Sequence, residues 1–73
     1  MDKKRNNIIA TTIRSERKKI GMTQKQFSFN SGLGLRFVRE IEQGKQTVRL
    51  DKVIVALNSL GYDLRVVPFE RIR

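Results

Sequence analysis

The chain contains neither cysteine nor histidine. Without thiols there is no disulfide framework, and without imidazole or thiolate a metal site lacks its usual ligands. The usual nucleophiles and general bases of enzymes are missing as well, because Asp51, Asp63, Glu40 and Glu42 are scattered among helix and strand positions with no paired geometry. Gly32, Leu33 and Gly34 are not followed by the lysine of a phosphate-binding loop, so these glycines read as a turn. The expectation is a protein with no enzymatic activity, no metal, no cofactor and no small-molecule substrate. Long apolar runs are also lacking, and nothing approaches the roughly 20 residues that span a bilayer. No apolar stretch with a small-residue cleavage site follows the charged first five residues, so a cytoplasmic location is expected, with no membrane partner.

Acidic residues are scarce. Seven Asp and Glu stand against sixteen Lys and Arg, a formal charge of +9 that favours a polyanionic partner. Ribosomal proteins, RNA chaperones and membrane-surface peptides share such an excess, so pattern has to decide. The 73 residues allow one compact domain. A chain of this size buries only about 60% of its unfolded surface, so its stability must come from helix packing or from association.

Residues 1–6 are too charged to pack and read as a mobile basic arm. From Asn7 the pattern is helical, with Ile9, Ile13 and Ile20 on one side and Arg14, Lys18 and Lys19 away from its centre, until Gly21. Thr23 can cap a second helix, with Gln26 three residues on returning the bond and Met22 packing on Phe27 as a staple. That helix should reach Ser31 and stop at Gly32. A third should follow over residues 35–43 and end at Gly44. Thr47 is a plausible cap for a fourth, whose apolar face would comprise Leu50, Val53, Ile54, Leu57 and Leu60 before Gly61. Beyond it, residues 62–67 are rich in strand formers, with Leu64 and Val66 alternating against Asp63 and Arg65 until Pro68.

On a wheel of 100° per residue the third helix carries Arg36, Arg39, Glu40 and Gln43 in one sector and Val38, Ile41 and Glu42 opposite. Arginine can bond bidentately to guanine and glutamate can accept from cytosine, so the outer sector holds side chains able to discriminate bases. An ordinary solvated helix face has the same composition. Arg17, four residues after Ile13, and Glu42 both fall on apolar sides, where an unpaired charge is costly, so they should pair. The other possibility is that both snorkel to solvent.

The run Ile13, Arg14, Arg17, Gly21, Met22, Thr23, Gln24, Phe27, Gly32, Val38, Ile41, Glu42 and Gly44 resembles the helix-turn-helix of phage-repressor and XRE-type regulators. The resemblance covers residues 13–60. It implies a mostly α, four-to-five-helix, lambda-repressor-like domain over residues 7–61 that binds double-stranded DNA as a dimer on a palindromic operator. It also implies that Gln24 binds phosphate and braces the recognition helix, with Thr23 and Gly34 at the starts of the two helices beside DNA. Leu35, Arg36, Arg39 and Glu40 would then face bases, and Gln43 and Lys45 the backbone. The chain departs from the pattern at Gly34, where a hydroxyl cap is usual, and at Phe27 and Ser28, where leucine and alanine are commoner.

The stretches over residues 46–53 and 60–67 resemble the HipB group, antitoxins and autorepressors paired with HipA-type kinase toxins in bacteria. That resemblance implies a strand over residues 62–68 pairing with its copy in a second subunit, a nucleoid-associated protein and a kinase-toxin partner. Independently, a lone strand leaves its ladder groups unpaired and the chain offers no second strand, so homodimerisation is expected. Its contacts would involve Leu57, Leu60, Tyr62, Leu64, Val66 and Val67, leaving residues 69–73 as a short tail. Two alternatives remain: a stand-alone XRE-type repressor without a toxin, and a basic RNA-binding protein. The latter would use exposed aromatics for stacking. Phe27 fits the core, while Phe29, Phe37 and Phe69 are unassigned, with Phe37 able either to pack or to touch a thymine methyl.

Overall fold

A computed structural model of the chain describes residues 7–69; the basic arm and all but the first residue of the tail lie outside it. Four helices follow in order, α1 (Ile8–Lys19), α2 (Gln24–Ser31), α3 (Leu35–Glu42) and α4 (Leu50–Ser59). Asn7 starts α1, its side-chain oxygen accepting from the Ala10 amide at 2.9 Å. Arg17, Lys18 and Lys19 occupy the last turn, where positive charge complements the helix dipole. Ile20 is already outside the helical track and is 58% exposed, so it does not extend the apolar stripe of Ile9 and Ile13.

A reciprocal capping box opens α2. The Thr23 hydroxyl accepts from the Gln26 amide at 3.0 Å, and the Gln26 side chain accepts from the Thr23 amide at 2.8 Å. The turn into α3 depends on Gly32, whose φ of +78° a side chain would strain. Ser28 adds a second tie, its hydroxyl donating to the Leu33 carbonyl at 2.6 Å, so the serine found where alanine is commoner fastens the turn. Leu33 is thereby held in the core. Gly34 precedes α3 in an extended conformation, with no side-chain cap bond.

The core comprises Ile13, Phe27, Leu33, Val38, Ile41, Val53, Ala56 and Leu57, covered at its margin by Ile9, Met22, Phe37, Val48 and Leu60. Every helix contributes. The short α3 packs on both α1 and α2, and α4 packs on α2, so α3 is held from its inner side. The fourth helix begins later than its sequence suggests. Val48 is drawn against the core, which leaves Thr47 exposed in the preceding loop and makes Arg49 the capping residue. Leu50 is consequently 61% exposed rather than part of the apolar face.

After α4 the Tyr62 amide donates to the Leu57 carbonyl at 2.8 Å, and the Asn58 side chain donates to the Tyr62 carbonyl at 2.7 Å. These bonds set the direction in which the chain leaves the helix. No strand forms among the described residues. Residues 62–69 are exposed, and the described residues supply no second segment with which to form a ladder. Leu57, expected at a subunit contact, is instead only 4% exposed and belongs to the core, and Leu60 is half-buried against it. The reason is geometric: the core-facing side of α4 is centred on Val53, Ala56 and Leu57.

Candidate nucleic-acid interface

The two faces of α3 differ sharply. Val38, Ile41 and Glu42 are buried, whereas Arg36, Arg39 and Gln43 are exposed and Leu35 and Glu40 half-buried. Burial of the aliphatic side fixes the rotation of the helix, and that rotation projects Arg36 and Arg39 outward. Glu40 pairs with Arg36 one turn earlier at 3.3 Å and with Lys45 beyond the helix at 3.5 Å. Arg39 has no such partner among the described residues. The face therefore presents hydrogen-bond donors around one central carboxylate, a combination suited to base edges and phosphates.

Glu42 is the fixed point behind this face. Its carboxylate accepts from Arg17 Nε at 2.7 Å, Arg17 Nη2 at 2.9 Å and Gln24 Nε2 at 3.1 Å. The remaining Arg17 fork nitrogen donates to the Met22 carbonyl at 2.8 Å. One cluster thus joins α1, the α1–α2 turn, the first residue of α2 and the last of α3. The hydrogen bond to Glu42 raises the Arg17 pKa above its already high ordinary value, against the opposing effect of burial, and the guanidinium stays charged. Charge balance and bidentate geometry make this cluster tolerable inside the fold. Gln24 is only half-buried, so it braces α3 while remaining at the surface of the α2 N-terminus. Thr23 and Lys25 beside it are exposed, and no acidic residue occupies that first turn.

A groove of about 880 Å³ runs between α1 and the loop after α3, lined by Asn7, Thr11, Arg14, Glu40, Gln43 and Lys45 among others. Gly44 permits the close approach, since a Cβ there would lie 3.3 Å from the Asn7 side-chain nitrogen, and its φ is +90°. The groove brings Arg14 to the same side as Gln43 and Lys45. In the sequence Arg14 is identifiable as a residue off the apolar stripe of the first helix and as part of the run that resembles the helix-turn-helix regulators, but neither signal places it beside Gln43 and Lys45.

The remaining aromatic residues separate cleanly. Phe37 is half-buried and packs against the core margin, with the Lys52 ammonium 5.8 Å from its ring centre. Phe29 is 87% exposed on α2 and Phe69 is exposed near the end of the described chain. Tyr62, Leu64, Val66 and Val67 form no ladder among the described residues and are all exposed. Among the described residues no helix is long and apolar enough to cross a membrane.

Comparison with known proteins agrees with this geometry. The helix-turn-helix family HTH_3 matches residues 13–67. An uncharacterised HTH-type transcriptional regulator, y4mF of Sinorhizobium fredii, is 34% identical over 64 residues, covering 86% of this chain and 84% of that protein. Among solved structures, a toxin–antitoxin module from Streptococcus pneumoniae superposes with a TM-score of 0.68 at 36% identity, covering 82% of this chain and 71% of the matched one. The chain belongs to the XRE-type helix-turn-helix family of DNA-binding transcriptional regulators.

Proposed function

We propose that the chain is the antitoxin and autorepressor of a toxin–antitoxin operon, reading a near-palindromic operator as a homodimer through α3. The observation that carries DNA reading is the split character of α3, buried by Val38 and Ile41 and braced through Glu42, with Arg36 and Arg39 exposed and Leu35 and Glu40 half-buried. Thr23 and Gln24 at the α2 start, Gly34 at the α3 start, and Gln43 and Lys45 after α3 supply the backbone contacts in this reading. Its work is in the cytoplasm, on the nucleoid.

Dimerisation proceeds through residues 62–68, which enter no ladder among the described residues and find one in the same segment of a second copy. Tyr62, Leu64, Val66 and Val67 supply its side chains. The antitoxin role is supported by the similarity to the pneumococcal toxin–antitoxin module. The partner we assign is a HipA-like kinase toxin, on the HipB-like character of residues 46–53 and 60–67. A stand-alone repressor is the second reading, favoured by the similarity to the regulator y4mF.

Selection from a random duplex pool tests DNA reading: enrichment of a near-palindrome with half-sites about 34 Å or a multiple apart is expected, and no enrichment refutes it. Sedimentation at micromolar concentration should show a dimer that deletion of residues 62–73 weakens. A folded monomer would reject the subunit contact. A kinase-like toxin frame beside the gene, with growth restored on co-expression of the two, supports the antitoxin role; its absence favours the stand-alone repressor.

A further inference from the structure

Glu40 stands at the centre of the outward face, and its side chain is about one third exposed, at 31%. Both of its oxygens are engaged, Oε2 by Arg36 Nε and Oε1 by Lys45 Nζ. The choice of nitrogen matters. A guanidinium held through Nε keeps both terminal nitrogens free, and a planar fork of two donors is what the O6 and N7 of guanine accept. The Arg36 side chain is 91% exposed, so without a tether its rotamers would be spread over many conformations.

We propose that Glu40 is a positioning residue for DNA reading: it holds Arg36 by Nε so that the terminal nitrogens are presented to a guanine, and is not itself a reader of cytosine. The proposal rests on the reading of α3 as the base-contacting helix. On the same carboxylate Lys45 is held beside Arg36, which ties a backbone-contacting cation to a base-contacting one. Glu40 also repels phosphate, so its loss should raise affinity for unrelated duplexes while lowering discrimination.

The test uses the full chain, the operator enriched by the wild type, and single-base variants of that operator. Glu40→Ala should reduce discrimination about two- to fivefold at the base pair that Arg36→Ala relaxes, the scale of an exposed pair. In an Arg36→Ala background the same change should have no further effect at that position. Glu40→Gln retains a carbonyl acceptor for Arg36 and should restore part of the discrimination, which a merely structural defect would not explain. Thermal unfolding of each variant confirms that α3 is intact. If Glu40→Ala alters preference at a different base pair, and still does so in the Arg36→Ala background, Glu40 reads a base and the proposal is overturned. Unchanged discrimination overturns it too. A wild type that enriches no operator refutes the reading of α3 itself, a result distinct from either.

Discussion

Removing one partner from the Arg17–Glu42 pair should reveal how much of the fold depends on it. In Arg17→Ala the Glu42 carboxylate, whose side chain is 3% exposed, keeps only the 3.1 Å bond from Gln24, and the Met22 carbonyl loses its donor. Breaking a buried pair in this way costs about 3 to 5 kcal/mol, against about 0 to 1 kcal/mol for an exposed pair. A domain of this length is stable by about 4 to 11 kcal/mol on the usual per-residue scale, so the loss is a large fraction of the total. It should lower Tm by about 12 °C or more. Glu42→Ala should cost less than Arg17→Ala, because Arg17 keeps Met22 and its long stem can turn the charge towards water. Replacing both by apolar residues should recover much of the loss, since no uncompensated charge then remains. Urea unfolding followed by helical circular dichroism, at one protein concentration because association contributes to stability, measures all three variants. Losses below about 1 kcal/mol in both single variants would refute the reasoning and show that the pair is effectively solvated.

Three further outcomes follow from other sites. Arg36→Ala should cost about 1 to 3 kcal/mol on the enriched operator and relax one base pair per half-site, whereas Lys45→Ala should weaken all sequences alike and make the salt slope shallower by about 0.9 per lost phosphate contact. Equilibrium binding across a salt series separates them. Gly34→Ser should stabilise the chain by about 0.5 to 1 kcal/mol, through a cap bond and a less flexible unfolded state, because the site has negative φ and open space for a Cβ; thermal unfolding is the check. The Asp51 carboxyl should titrate below its ordinary value of 3.8, chiefly through the hydrogen bonds from Arg49. A lowered folded-state pKa means that this contribution is present above the unfolded value and lost as pH falls through the folded one. Carboxyl NMR should show the low midpoint and its return towards 3.8 in Arg49→Ala.

Much of the helical part was legible because its signals are local. The Thr23 and Gln26 capping box, the glycine stop at Gly32 and the 3.6-residue spacing of Val38 and Ile41 depend on neighbours within a turn or two. Thr47 was misleading for the opposite reason. Its side chain can cap in isolation, but the pull of Val48 to the core, a contact distant in sequence, decides where α4 begins. The same limit applies to Leu57. Periodicity places it on the apolar side of its helix, yet whether that side meets its own core or another subunit depends on how α2 and α4 pack.

The outward face of α3 marks a second limit, between knowing which side chains share a surface and knowing how they engage one another. A helical wheel puts Arg36, Arg39, Glu40 and Gln43 in one sector and treats them as equivalent, each free to seek a base. Lys45 lies beyond the helix and is absent from the wheel, yet the turn at Gly44 brings its ammonium back to Glu40. That return breaks the equivalence: among the described residues Arg36 and Lys45 are tethered, Arg39 is not, and the sole acid of the sector is engaged by both cations. A free arginine must lose its rotamer freedom on binding, whereas a tethered one has already lost part of it. On the proposed reading of α3 as the base-contacting helix, Arg36 is therefore the better placed of the two to discriminate between bases, and Arg39 to adapt to whatever phosphate or base edge lies nearest.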